Sequence, residues 1–302
     1  MSRPGVSLVV VAYDMARELP RTLKSLSAGC QRHVSAGDYE VIVVDNGSRE
    51  PFDAGLCREL CPNARFLHLR DAGVSPVLAI NTGLAEARAD LVGVMIDGAR
   101  MASPGLVATA LQASRLHPCP VIGTLAFHLG PDVQMRSVQE GYDEQVEDDL
   151  LGSVDWVTNG YELFSISVFA ASSAKGWFVL PSETNALFLR RGQWDVLGGY
   201  DDAFLSPGGG LVNLDTWVRA CALPGTQVML LLGEATFHQV HGGIATNAPR
   251  SRWEEFHDEY VRIRGRRFVP PAGTPLMVGR MPPQARTSML ASLGHLPSGG
   301  QG

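Results

Sequence analysis

An excess of positive charge is the first thing this sequence lacks. Its 25 Lys and Arg stand against 31 Asp and Glu, a formal net charge of −6. That balance gives no fold-wide basic field for gripping nucleic acid. There is also no run of about 18 apolar residues, so no transmembrane helix is expected. The apolar run near the N-terminus is closed at once by Asp14 and is too short for a signal-peptide core. The expectation is a soluble, cytoplasmic protein. The five cysteines (Cys30, Cys57, Cys61, Cys119, Cys221) are scattered and odd in number, which argues against a disulfide framework. Cys57 and Cys61 are spaced C-x3-C, but no further Cys or His pair is spaced to complete a zinc site. No internal repeat is present. A disorder signature is missing too, since 45% of residues are hydrophobic and 19% charged. At 302 residues the chain suits one large α/β domain or two small ones.

What is present is an alternation of strand and helix signals over the first 130 residues. Val6–Ala12 is a continuous apolar, β-branched run, as in a strand buried on both faces. Residues 17–28 follow with Leu19, Leu23 and Leu26 on one helical face. Val41–Val44 reads as a second buried strand, residues 53–61 as a short helix and Phe66–Leu69 as a third strand. Residues 79–88 read as a helix and Leu91–Ile96 as a fourth strand. Ser103 and Pro104 read as the cap and first residue of the next helix, and Val121 begins a fifth strand. Such an alternation means right-handed crossovers and a mainly parallel sheet. Ligands of these sheets lie outside the carboxyl ends of the strands, which directs attention to Tyr13-Asp14, Asp45–Ser48 and Asp97–Arg100.

Residues 131–182 are less regular, and the acidic stretch Glu140–Asp149 reads as a solvated helix face. Beyond it come a strand at Ala186–Leu189, the loop Gly208-Gly209-Gly210, a helix at about 212–222 and a strand at Val228–Leu232. Then come His238 and His241 and a charged helix at 251–266. The triple glycine is not a phosphate-binding P-loop, because no Lys-Ser/Thr follows it; it reads as a mobile loop over an acceptor. The last thirty residues, rich in Pro and Gly, read as an extended arm or disordered tail.

The opening VSLVVVAY, the run EVIVVDNGS at 40–48, IDGA with Pro104 seven residues after Asp97, and GGYD at 198–201 together resemble family 2 glycosyltransferases of the GT-A fold. The resemblance covers roughly residues 5 to 245. It implies a Rossmann-like, mainly parallel sheet flanked by helices. Residues 1–130 would form a nucleotide-sugar-binding half, 131–268 an acceptor and catalytic half, and 269–302 a C-terminal arm. The implied activity is transfer of a sugar from a nucleoside-diphosphate sugar of UDP or GDP type to the hydroxyl of a small-molecule or glycan acceptor, with inversion at the anomeric carbon. The competing reading is a degenerate transferase that only binds a nucleotide or a partner protein. The oligomeric state is left open.

Residue by residue, the resemblance puts Asp45 on the nucleobase, where a carboxylate accepts imide or amino N–H groups; an Asx-turn acid is the plain alternative. Ala12 and Tyr13 end the first strand, where the family packs on base and ribose. Asp97 corresponds to the first Asp of an Asp-x-Asp motif whose second Asp binds Mn²⁺ or Mg²⁺ in relatives. Here that second place is Ala99, so the motif is incomplete. Arg100 is then the candidate for supplying positive charge to the diphosphate, or else a surface residue. His241, before two glycines, resembles the C-terminal His that completes the metal shell, with His238 the lesser candidate. The general base in relatives is an Asp at the start of the helix near residue 213. Spacing puts Asn213 there, which cannot take a proton, while chemistry favours Asp215. Glu183 and Asn185, with Gly209 and Gly210, are the expected acceptor contacts.

Overall fold

The structure is a computed structural model and describes residues 3–242 and 252–295. Along the chain run β1 (Val6–Ala12), α1 (Leu19–Leu26), β2 (Tyr39–Asp45), α2 (Ala54–Leu60), β3 (Ala64–His68), α3 (Val77–Glu86), β4 (Leu91–Met95), β5 (Arg100–Ala102), α4 (Leu106–Ala113) and β6 (Pro120–Leu129). Then follow α5 (Gln134–Ser137), α6 (Glu144–Gly152), β7 (Ser167–Phe169), β8 (Ala186–Arg190), α7 (Arg191–Leu197), α8 (Val212–Cys221) and β9 (Gln227–His238). After the break come α9 (Trp253–Arg264), β10 (Leu276–Gly279) and α10 (Arg286–Leu293).

These strands form one mixed sheet in the order β10-β9-β6-β8-β4-β1-β2-β3, with β5 paired to β9 and β7 to β6. Pairing is parallel across β4-β1-β2-β3 and across β10-β9-β6; β8 is antiparallel to both of its neighbours. The run of β1, apolar except for Ser7, whose hydroxyl donates to Glu40 Oε1 at 2.7 Å, is explained by burial of both its faces. Val9 and Val11 join one core layer with Val77 and Ile80 of α3. Leu8 and Val10 join the other with Leu19 and Leu23 of α1 and Leu106 of α4. Successive side chains of a strand point to opposite faces, so a strand covered by helices on both sides has no polar position to spare. Gly83 lets α3 lie close to β1, since a Cβ there would come within 2.3 Å of Val9 Cγ1.

Several expectations are corrected. The helix expected from Ser103 starts instead at Leu106. Ser103 Oγ donates to Glu234 Oε2 at 2.6 Å and accepts from Ala235 N–H, so its hydroxyl joins α4 to β9 rather than capping a helix. The acidic stretch at 140–149 is not wholly solvated. Glu147 is fully buried, where it accepts from Val240 N–H at 2.6 Å and pairs with Arg17. The C-terminal segment is more than an arm, because β10 extends the sheet beside β9 and α10 follows. Residues 296–302, Gly243 and residue 251, the first of the expected 251–266 helix, lie outside the described residues.

Candidate active site

The carboxyl ends of β1, β2 and β4 meet at one edge, and the end of β9 is drawn to the same place through β5. Across β5, β9 and β6 the register aligns Arg100 with His238 and His238 with His128. Asp97 follows β4. Gly98 allows its turn to sit against β1, since a Cβ there would meet Ala12 Cβ and Val11 O at 3.1 Å. Asp97 Oδ1 accepts from Ala99 N–H at 2.8 Å. Its other oxygen lies 3.0 Å from His238 Nε2 and 3.4 Å from His241 Nε2, and the two imidazole nitrogens are 3.2 Å apart. One donor atom from each of these three residues thus falls within 4.8 Å of the others. A carboxylate and two imidazoles at that separation suit a divalent cation of borderline softness.

The three groups respond differently to their surroundings. Burial works to raise the Asp97 pKa, but the charges and hydrogen bonds of His241 and His238 together outweigh it and hold the carboxyl well below its usual range. Burial, with Arg100 nearby, pushes His238 down to about 4, so it is neutral and able to ligate. Burial opposes charge on His241 as well, yet Asp97 overcomes it and raises that pKa. Ala99 is fully buried. The imidazole nearest Asp97 is that of His238, the lesser candidate by sequence. Only the extension of β9 to residue 238 and its pairing with β5 bring that ring to Asp97.

Arg100 is not a surface residue. It is 8% exposed, and its Nε and Nη1 have no hydrogen-bond partner among the described residues. Its Nε lies 4.0 Å from Asp97 Oδ2. Burial lowers its pKa, opposed by the charges of Asp97 and Glu183. A buried guanidinium with empty donors is costly unless an anion completes it.

Asp45 serves the expected turn with one oxygen only. Oδ1 accepts from Ser48 N–H at 2.7 Å and lies 3.3 Å from His68 Nδ1, while the buried Oδ2 has no partner. The turn uses one oxygen and leaves the other. Tyr13 beside it is 51% exposed, a free aromatic face, and Ala12 is buried beneath it at the strand end.

Asp215, the base expected on chemistry, sits among arginines. Both of its oxygens are occupied: Arg219 Nε and Arg264 Nη2 donate to Oδ2 at 2.7 and 2.6 Å, and Arg264 Nε donates to Oδ1 at 2.6 Å. Arg264 also donates to Asp201 at 2.6 Å. This is an ion network joining α8 to α9 around the buried Asp215, with both carboxylate oxygens engaged by guanidinium groups. Asn213, the match by spacing, donates from Nδ2 to Glu183 Oε2 at 2.9 Å and approaches Asn185 Oδ1 at 3.4 Å; Tyr200 OH donates to its Oδ1. Glu183 is therefore the carboxylate that Asn213 holds, half-buried and close enough to Arg100 to feel its charge. Asn185 is buried beneath it. The glycine loop is tied down rather than free. Leu205 and Ser206 N–H donate to Glu259, and Gly208 N–H donates to Val74 O. Gly209 packs toward Pro76 and Gly210 toward Glu259, so α9 fixes both this loop and Asp215. Two clefts of about 190 and 400 Å³ share Asn81 and Gly198. Neither includes Asp97, His238 or Glu183, so the convergence of polar groups, not cavity size, marks the site. Cys57 and Cys61 are free and buried, which pushes their thiols up to about 11 and about 12.

Comparison with known proteins agrees with this architecture. Residues 7–98 match the family model described as Glycosyl transferase family 2. No curated protein matches the chain in sequence. Among solved structures, S. aureus TarS residues 1–349 align at 13% identity and TM-score 0.52, covering 85% of this chain and 64% of that one. TarS in complex with UDP-GlcNAc aligns at 14% identity and TM-score 0.55, covering 85% and 65%. A mannosyltransferase from Pyrobaculum calidifontis, in complex with GDP-Man and Mn²⁺, aligns at 16% identity and TM-score 0.52, covering 98% of this chain and 71% of that one. The chain spans less than two thirds of the length of these TarS chains. The fold is GT-A, and over residues 7–98 the resemblance to family 2 glycosyltransferases is borne out. No helix among the described residues is long and apolar enough to cross a membrane.

Proposed function

We propose that this chain transfers a sugar from a nucleoside-diphosphate sugar to an acceptor hydroxyl, with inversion. The observation that carries the reading is the grouping at one sheet edge of unpartnered Asp45 Oδ2 and Arg100 Nε and Nη1 with the converging donor atoms of Asp97, His238 and His241. Each matches a different part of a nucleotide sugar. Tyr13 packs on the base and ribose above Ala12, and Asp45 accepts an N–H of the base. Asp97, His238 and His241 would hold a divalent cation, Mn²⁺ in preference to the harder Mg²⁺ because two of the three donors are imidazoles. Bound there, it would neutralise charge on the departing diphosphate. Arg100 donates to the same phosphate oxygens, a role that compensates for Ala99. The neighbours solved with UDP-GlcNAc and with GDP-Man and Mn²⁺ support this class of donor.

Glu183 takes the acceptor proton. Asn213 donates to its Oε2, which orients the carboxylate and leaves Oε1 for the acceptor. As the hydroxyl oxygen attacks the anomeric carbon from the face opposite the diphosphate, its proton passes to Glu183, and inversion follows from the single displacement. Asn185 and the Gly209-Gly210 loop border the acceptor side.

A binding protein without transferase activity is the second reading, and Asn213 in the usual place of an acid favours it. The test is a thermal-shift series with UDP and GDP, with and without Mn²⁺, followed by hydrolysis of UDP- and GDP-sugars. Ligand bound to the native state raises the midpoint. A midpoint rise that depends on Mn²⁺, together with sugar release, supports the transferase. A rise without any turnover selects the binding protein, and no response to either nucleotide overturns both.

A further inference from the structure

We propose that Gln134 is a positioning residue that fixes His238 in its Nδ1–H form and so presents a bare Nε2 to the cation. The inference rests on the metal reading given above and adds a residue to it. Gln134 is the first residue of the short helix α5, between β6 and α6, 104 positions from His238 in sequence, and is fully buried.

The argument is one of donors and acceptors. Gln134 makes two contacts with His238: its Nε2 lies 3.2 Å from the His238 carbonyl oxygen and its Oε1 lies 2.6 Å from His238 Nδ1. A carbonyl oxygen only accepts, so the NH₂ group of Gln134 must face it. The amide oxygen is then the atom that faces the ring. An amide oxygen also only accepts, so Nδ1 must carry the hydrogen. A neutral imidazole has one N–H, so Nε2 is left with its lone pair. That lone pair points at Asp97 Oδ2, 3.0 Å away, and lies 3.2 Å from His241 Nε2. Two acceptors facing each other at that distance repel unless a cation or a proton lies between them. Gln134 thus removes the arrangement in which His238 satisfies Asp97 by donating to it, and leaves one completed either by a proton on His241 or by a metal ion that displaces it.

The glutamine is itself held in place. Gln134 N–H donates to His128 Nδ1 at 2.9 Å, and His128 is the neighbour of His238 in the β6–β9 register. One short stretch of backbone therefore uses one histidine of the pair as an anchor and orients the other. Partners of this kind on a ligating histidine govern tautomer and ring orientation, and their loss typically costs about 10–100-fold in metal affinity.

The experiment measures Mn²⁺ affinity by electron paramagnetic resonance, and the His238 tautomer by ¹⁵N-histidine NMR of the metal-free chain. The His238 signal is assigned by its loss in His238→Ala. Wild type should show the Nδ1–H form. Gln134→Met, of similar shape but without the acceptor, should show mixed tautomers and bind Mn²⁺ about 10–100-fold more weakly. Gln134→Glu should retain the Nδ1–H form and recover part of the affinity, which a purely packing role would not produce. Finding Nε2–H in wild type overturns the proposal even if neither variant folds, as does wild-type Mn²⁺ affinity in Gln134→Met. If wild type shows Nδ1–H but binds no Mn²⁺, the metal reading fails and the role given to Gln134 fails with it. If wild type binds Mn²⁺ and Gln134→Met does so equally, only the Gln134 inference fails.

Discussion

The Asp97 cluster and the Asp215 cluster both bury carboxylate beside cationic groups, yet only one leaves polar atoms without partners. Around Asp215 every oxygen is used, by Arg219 and by Arg264, and Arg264 reaches on to Asp201. Around Asp97 the Arg100 guanidinium keeps Nε and Nη1 unpaired, and two imidazoles converge on one carboxylate oxygen. A satisfied network rigidifies the fold. An unsatisfied one in a folded chain calls for something that completes it. Judged by charge alone, either cluster looks catalytic; counting donors and acceptors separates them.

Four measurements sharpen that contrast, from the largest expected effect to the smallest. Glu183→Gln keeps shape and the site's donors while removing the proton acceptor, so transfer should fall by about 10²–10⁴ with donor affinity retained. Near-normal turnover would take Glu183 out of the mechanism. Asp215→Ala should act on stability instead. It leaves Arg219 without a carboxylate and Arg264 with Asp201 alone, and removing one partner of a buried ion pair typically costs about 3–5 kcal/mol. Denaturant unfolding measures the loss, and nucleotide affinity per folded molecule should be unchanged. If Asp215→Ala abolishes transfer at full stability, the distinction drawn between the clusters is wrong.

Asp45→Ala tests the unpaired Oδ2. Nucleoside-diphosphate binding should weaken by about 1.5–3 kcal/mol, the range for a hydrogen bond to a charged group. Titration calorimetry with unchanged affinity would leave Asp45 as a turn residue only. The smallest effect concerns Glu147, whose carboxylate holds Val240 N–H next to His241. Burial, partly offset by the hydrogen bond from Val240 and by Arg17, raises its pKa from 4.5 to about 7. The folded state therefore binds this proton more tightly than the unfolded chain does. Its contribution to stability is complete below about 4.5 and is lost as pH rises through about 7. Buried Glu234, raised to about 6, acts in the same direction over a narrower range. Glu147→Gln should flatten the fall of the thermal midpoint between those pH values, and an unchanged slope would remove Glu147 as its source.

The N-terminal half was largely legible in the sequence. β1 runs over the very residues that the apolar run marks, and α1, β2 and β4 fall within a few residues of expectation. The regularities there are local: a period of one or two for strands and 3.6 for helices, written in contiguous residues. β5 escaped because its three residues become a strand only by pairing with β9. The acid at 215 was read as a helix-start carboxylate because Arg264, which occupies it, lies 49 positions away. The ring of His238 was undervalued because the expected β9 stopped six residues short of it, at Leu232.

By itself, then, the sequence determined the alternation of strand and helix, the edge of the sheet where Asp45 and Asp97 emerge, and the pair of histidines near residue 240. These depend on side-chain periodicity, which acts between near neighbours. Only the tertiary structure decided which carboxylates are spent on arginines and which stand free. It paired Glu183 with Asn213, His238 with Gln134 and Asp215 with Arg264 across 30, 104 and 49 positions. A hydrogen bond forms between groups that packing brings within about 3 Å, and nothing in the local pattern of a chain records that distance.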